Sequence, residues 1–224
     1  MKGLFITGTD TGVGKTVASA ALLHRYRALA PLRYWKPVQT GIEEDDDTET
    51  VRQLGGCTEQ ELFTQGIRLP KSASPHLAAR WAGVSINLRE LAAVWPGPAL
   101  QPNKDRAAIV EGAGGLLVPV NPSETMADWI GVLRLPVLIV ARSGLGTINH
   151  TLLTVEALRA RSLCVAGVLM IGNSNVENRA AIQHYGDVPV VADMPLIQPL
   201  DRASLAAWSA THLDPAGLLL EFLR

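Results

Sequence analysis

The first residues able to do chemistry together are Gly14, Lys15 and Thr16, in the stretch GTDTGVGKT from Gly8 to Thr16. They follow the apolar run Leu4–Ile6 and open a helical pattern. A lysine there can reach the outer phosphates of a nucleotide, and the hydroxyl beside it can sit on Mg²⁺. Glycines in such a loop let backbone N–H groups turn towards phosphate oxygens, and a helix N-terminus favours an anion. The candidate phosphate cradle is therefore Thr11, Gly12, Val13, Gly14, Lys15, Thr16 and Val17. Its spelling is unusual: five residues separate Gly8 from Gly14, and Thr9 stands where the common pattern has its first glycine.

A metal held by a nucleotide needs oxygen ligands from the protein as well. The segment AAIVEGAGG, 107–115, offers Glu111 at the carboxyl end of an apolar strand pattern. Open α/β sheets place their ligands at that end. The acidic run EEDDD, 43–47, offers a second carboxylate. Asp47 either caps the helical pattern behind it or, if the loop folds back over the phosphates, reaches the metal. Lys36 follows the second apolar run, where a lysine on its own reads as a solvated charge. No Ser-His-Asp or Cys-His arrangement is recognisable, so a protein nucleophile is not expected.

The elements that must position these groups alternate along the chain. Strand patterns cover 3–7, 33–38, 107–111, 137–141, 165–171 and 188–191. Helical patterns cover 15–29, 48–54, 74–81, 88–94, 125–132, 147–161 and 178–185, with short ones at 203–209 and 215–223. Such alternation, with strands apolar throughout, predicts an α/β fold: a single-domain, Rossmann-like P-loop fold of three layers, with a mainly parallel sheet flanked by helices. The 224 residues suit one domain over 1–224, and the proline-bearing segment 96–103 reads as a loop within it.

Composition narrows the function classes. Hydrophobic residues at 47% and charged residues at 18% describe an ordered globular chain. A formal net charge of −1 gives no reason to expect nucleic acid or an acidic membrane as partner. The two cysteines, Cys57 and Cys164, lack metal-ligand spacing and read as plain thiols, with Cys164 in the core. No apolar run reaches the roughly 20 residues of a membrane span, and the N-terminal one is too short for a signal peptide. The expected compartment is the cytoplasm.

Taken together, several segments resemble the dethiobiotin synthetase family. GTDTGVGKT, YWKPVQTG at 34–41, SPH at 74–76, VEGAGGLLVP at 110–119, MADW at 126–129 and GLGTINHTLLT at 144–154 stand in the family's order. The resemblance implies an ATP-dependent ligase of biotin synthesis. Its substrates would be 7,8-diaminopelargonic acid, CO₂ (or bicarbonate) and ATP, with Mg²⁺ as cofactor. One amine captures CO₂ as a carbamate, ATP phosphorylates it, and the second amine closes a ureido ring. Carried over by motif, Thr16, Asp47 and Glu111 are the metal ligands, and Lys15 and Lys36 are catalytic. Asn173 meets the base, and Thr40 and Pro75 lie near the diamine. The turn Gly146, Thr147, Ile148 and Asn149 binds the substrate's tail carboxylate from the neighbouring subunit, which implies a homodimer with shared sites. For His76 and His150, hydrogen bonding at helix ends is preferred to acid–base work. Gly12 departs from relatives that carry glutamate there.

A partition- or division-type regulatory ATPase is the principal alternative. Those proteins carry a lysine early in the loop, where this chain has Asp10. A cobyrinic-acid-type amidotransferase would need a glutaminase domain, and a catalytically dead binding module fits poorly with Lys15, Thr16 and Glu111 all present.

Overall fold

The computed structural model describes residues 2–95 and 106–224, so the loop expected at 96–103 lies outside the described residues. Its first strand, β1 (Gly3–Gly8), is buried along its whole length. It runs between β6 (Ala107–Gly115) and β7 (Val137–Arg142), parallel to both. Outside β6 lie β2 (Leu32–Trp35) and then β4 (Leu62–Phe63). Outside β7 lie β8 (Val165–Ile171) and then β9 (Val190–Met194). The seven strands thus run β4-β2-β6-β1-β7-β8-β9, every pairing parallel.

Alternate residues of each strand enter opposite cores. Leu4 and Ile6 pack on one face with Leu22, Val51 and Leu205, from α1 (Lys15–Tyr26), α2 (Asp47–Gly55) and α8 (Arg202–His212). Phe5 packs on the other with residues of α3 (Pro75–Ala82), α4 (Leu88–Val94), α5 (Met126–Leu133), α6 (Thr147–Arg159) and α7 (Val176–Gly186). Burial on both faces is why these strands read as continuous apolar runs rather than alternating ones. The chain leaves β1 towards β2 on one side and later reaches β7 on the other. That reversal is a topological switch point at the carboxyl end of β1, where such sheets bind ligands.

Three expectations need correction. The strand expected over 33–38 is broken: β2 ends at Trp35, and the chain resumes as β3 (Val38–Thr40) in a separate two-stranded sheet with β5 (Ile67–Leu69). Pro37 sits in the break, where it has no N–H for a ladder. Cys164 is exposed rather than core, because it lies in the turn before β8. The C-terminal helix expected over 215–223 is a 3-10 turn, Leu218–Phe222.

Candidate active site

The phosphate loop is shaped by glycine. Gly14 caps α1 with φ 97°, and a Cβ there would come 2.7 Å from Ile171 Cδ1. No side chain caps α1, so its first N–H groups remain available to an anion. Gly12 is also left-handed, at φ 70°, but an added Cβ would meet nothing within 4 Å. A glutamate there would have room, at the cost of a strained backbone. Lys15 Nζ donates to the Asp10 carbonyl at 3.2 Å. Burial, and then the nearby Lys36 ammonium, hold the Lys15 pKa below its ordinary value.

Glu111 is the hub of the site. It pairs with Ile6 across β6 and β1 and is 1% exposed. Its Oε1 accepts from Lys36 Nζ at 2.8 Å and lies 3.1 Å from Thr16 Oγ1. Its Oε2 accepts from Ser19 Oγ and Tyr34 OH, each at 3.0 Å. Lys36 Nζ also reaches Asp47 Oδ2 at 2.6 Å and the Gly112 carbonyl at 3.0 Å, so all three of its protons have acceptors. Burial opposes the Lys36 charge, but Glu111 and Asp47 outweigh it and raise the pKa.

The residue pattern allows Asp47 to be a helix cap or a metal ligand, and the resemblance makes it a ligand. Asp46 takes the cap, accepting from the N–H groups of Thr48 and Glu49. Asp47 then stands in the first turn of α2 with its side chain turned to the phosphate loop, its Oδ1 accepting from Thr16 Oγ1 at 2.6 Å. Burial would raise its pKa, but Lys36 and Thr16 hold it below the usual carboxylate value. The loop folds back because Gln39 Nε2 donates to the Asp45 carbonyl, Lys71 pairs with Glu43, and Ser72 Oγ donates to Glu44.

The residues present fit a divalent cation. Thr16 has one hydroxyl proton but carboxylate oxygens at 2.6 and 3.1 Å. One of these oxygen–oxygen contacts therefore has no proton, which a cation at that point would relieve. Among the described residues no three His, Cys, Asp or Glu side chains form a metal cluster. Two carboxylates and a hydroxyl leave the remaining positions to phosphate and water, as Mg²⁺ prefers.

Two cavities meet at the loop. One, about 730 Å³, is lined by Thr11, Lys15, Thr16, Lys36, Asp47 and Glu111, and also by Thr40 and Pro75. The other, about 790 Å³, lies beyond Gly12, Val13, Gly14 and Val17. Ile171, Met194, Pro195, Leu196 and Ile197 give it apolar walls, and Asn173, Ser174, Asn175 and Gln198 supply a few polar groups, the composition of a ligand pocket. Asn175 is committed to capping α7, where it accepts from the Asn178 N–H at 2.9 Å, while Asn173 lines the cavity. Gly146, Thr147, Ile148 and Asn149 line neither cavity. They form the N-terminal end of α6, next to fully exposed Leu145. His76 Nδ1 lies 3.0 Å from Ser74 Oγ, the helix-end contact expected for it. Ser19 and Tyr34 do not stand out in the sequence, since isolated hydroxyls carry no signal until the fold brings them to Glu111. The available signal was position: Ser19 lies one helical turn beyond Lys15, and Tyr34 two residues before Lys36.

Residues 2–204 match the model of the AAA domain family. Among solved structures, the chain resembles a ParA family ATPase from Chlorobium tepidum, with a TM-score of 0.52, 11% identity and coverage of 99% of this chain and 98% of the other. It also resembles the septum site-determining protein MinD from Pyrococcus horikoshii, with a TM-score of 0.50, 14% identity and coverage of 99% and 93%. At such identities the likeness shows the fold alone. Curated relatives are nearer. The chain is 45% identical to an ATP-dependent dethiobiotin synthetase BioD of Nitrobacter hamburgensis over 90% of both chains. It is 42% identical to that of Agrobacterium fabrum over 96% of this chain and 95% of the relative. Identity at this level, sustained over nearly the whole of both chains, makes the protein a member of the dethiobiotin synthetase family.

Proposed function

We infer that the chain is an ATP-dependent dethiobiotin synthase. It carboxylates 7,8-diaminopelargonic acid with CO₂, phosphorylates the carbamate and closes the ureido ring, releasing ADP and phosphate. The single observation that carries this reading is the joining of Lys36, Asp47, Glu111 and Thr16 into one network beside Lys15, in a family of that activity.

The chemistry explains the charges. An amine attacks CO₂, forming an N–C bond and losing a proton to give a carbamate anion. The carbamate oxygen then attacks the γ-phosphorus, and the bond to the ADP oxygen breaks. The second amine attacks the carbonyl carbon, expels phosphate, loses its proton and closes the ring. Two anions must approach each other in the middle step, so cations and donors around the transferring phosphoryl group do most of the work. Lys15 meets the outer phosphates, and Lys36 serves the carbamate and γ-phosphate. Thr16, Asp47 and Glu111 would hold Mg²⁺, which would supply further positive charge at the phosphates. Asn173 meets the base, and Thr40 and Pro75 border the diamine. The N–H groups from Gly146 to Asn149 hold the tail carboxylate of a substrate bound to a second copy of the chain. Their position outside their own chain's cavities supports that homodimer, as do two exposed apolar residues, Leu145 just before α6 and Leu153 midway along it.

Incubation of the pure protein with diaminopelargonic acid, bicarbonate, Mg²⁺ and ATP tests the activity. Dethiobiotin and diamine-dependent ADP release are expected. ADP release indifferent to the diamine, with no dethiobiotin, would instead support a regulatory ATPase.

A further inference from the structure

We propose that Ser19 and Tyr34 are positioning residues that hold Glu111 so that only its Oε1 faces Thr16 and the nucleotide phosphates. The proposal rests on the reading of Glu111 as a metal-side carboxylate. Ser19, Tyr34 and Glu111 lie in three different elements, α1, β2 and β6, and are buried where those elements meet. Tyr34 pairs with Ile109, two residues before Glu111, so the neighbouring strands bring the phenol and the carboxylate to one face. Ser19, three residues after Thr16, projects from the same side of α1.

Both hydroxyls converge on Oε2 at 3.0 Å. A carboxylate with one oxygen tied to two fixed donors cannot rotate to offer both oxygens to a metal. Oε1 is then the oxygen left towards Thr16, at 3.1 Å, and Lys36, at 2.8 Å. Proton counting ranks the two donors. Ser19 has a single proton and two acceptors, the Lys15 carbonyl at 2.9 Å and Glu111 at 3.0 Å. Tyr34 has one proton and one acceptor, Glu111 at 3.0 Å, so its hydrogen bond is undivided. Tyr34 is therefore the principal anchor and Ser19 the lesser one. Hydrogen-bond partners that orient metal ligands are worth about 10- to 100-fold in metal affinity or activity.

The test is Mn²⁺ binding to the full chain saturated with ADP, followed by electron paramagnetic resonance. Tyr34→Phe is expected to raise the Mn²⁺ dissociation constant by about tenfold or more, and Ser19→Ala by less. ADP affinity without metal should be unchanged in both. Ser19→Thr, which keeps a hydroxyl, should stay close to the wild type. A purely structural role would lower the melting temperature and leave Mn²⁺ affinity within about twofold in both variants, which overturns the proposal. If the Tyr34→Phe chain fails to fold, the Ser19→Ala and Ser19→Thr pair decides, and equal affinities overturn it. Absence of ADP-dependent Mn²⁺ binding by the wild-type chain would remove the metal-site reading itself, a separate failure.

Discussion

Lys15 and Lys36 bring the same charge to one cleft in opposite electrostatic conditions. Lys15 is depressed by burial and by its neighbour, with one carbonyl for company, so an arriving phosphate finds an underused cation. Lys36 is already paired with Glu111 and Asp47. Lys15→Ala and Lys36→Ala should each slow turnover at least about a hundredfold, because each removes charge stabilisation of the transferring group. Their stabilities should differ. Lys36→Ala leaves two carboxylates with no ammonium between them and should cost about 3 kcal/mol in thermal unfolding, against far less for Lys15→Ala. The cysteines give a second prediction. Burial pushes the Cys57 thiol up to about 11, whereas Cys164 is exposed. At pH 8 only about one Cys57 in a thousand is a thiolate, so a disulfide reagent should modify Cys164 first and leave Cys57 almost untouched in the folded chain. Residue identity made Lys15, Thr16 and Glu111 legible from the sequence alone. The surroundings of Cys164 were not, because a turn and a strand start look alike within an apolar run.

At the scale of elements, the site depends on how α2 begins. Asp46 caps the helix, and that leaves Asp47 free to meet Thr16 and Lys36. Asp46→Ala should cost about 1 kcal/mol of stability, the usual value of an N-cap. It should also slow turnover about tenfold or more by letting Asp47 drift, since an ångström matters at such a site. Asp46→Asn keeps an acceptor for the same N–H groups and should restore most of both. Thermal unfolding and steady-state turnover of the two variants check this. Loss of stability with full activity would show that the cap does not position Asp47. The longer elements were readable from their periodicity. Strands β4 and β5, of two and three residues, carry too few side chains to show a period, and β2 stops early because Pro37 cannot extend its ladder. From the residue pattern alone Asp47 reads equally as cap or metal ligand, and only the family resemblance assigns it to the metal. The return of the loop, tied by Gln39, Lys71 and Ser72, turns its side chain to Thr16.

At the scale of the whole molecule, one set of expected site residues is left over. The Gly146–Asn149 turn cannot serve the cavities beside its own phosphate loop, so it either serves a second chain or has no role in binding. No reading of one sequence could decide this, because such a contact would lie between copies. Subunit mixing can. Lys15→Ala disables a phosphate loop, and Ile148→Pro removes one backbone N–H from the first turn of α6, where proline is tolerated. If each site combines the loop of one chain with the turn of the other, a mixed dimer holds one doubly damaged site and one intact site. Random re-pairing of equal amounts makes about half of the dimers mixed, so activity should return to about a quarter of wild type. Each variant alone should be nearly inactive. Sites built within single chains predict no recovery, because every chain in the mixture carries a damaged site. Sedimentation at micromolar concentration accompanies the assay, and a chain that remains monomeric there rules out the shared site. Leu145→Asp provides the matching control: a charge on the exposed apolar tip beside the turn should weaken association and make activity fall on dilution, with the monomer fold intact.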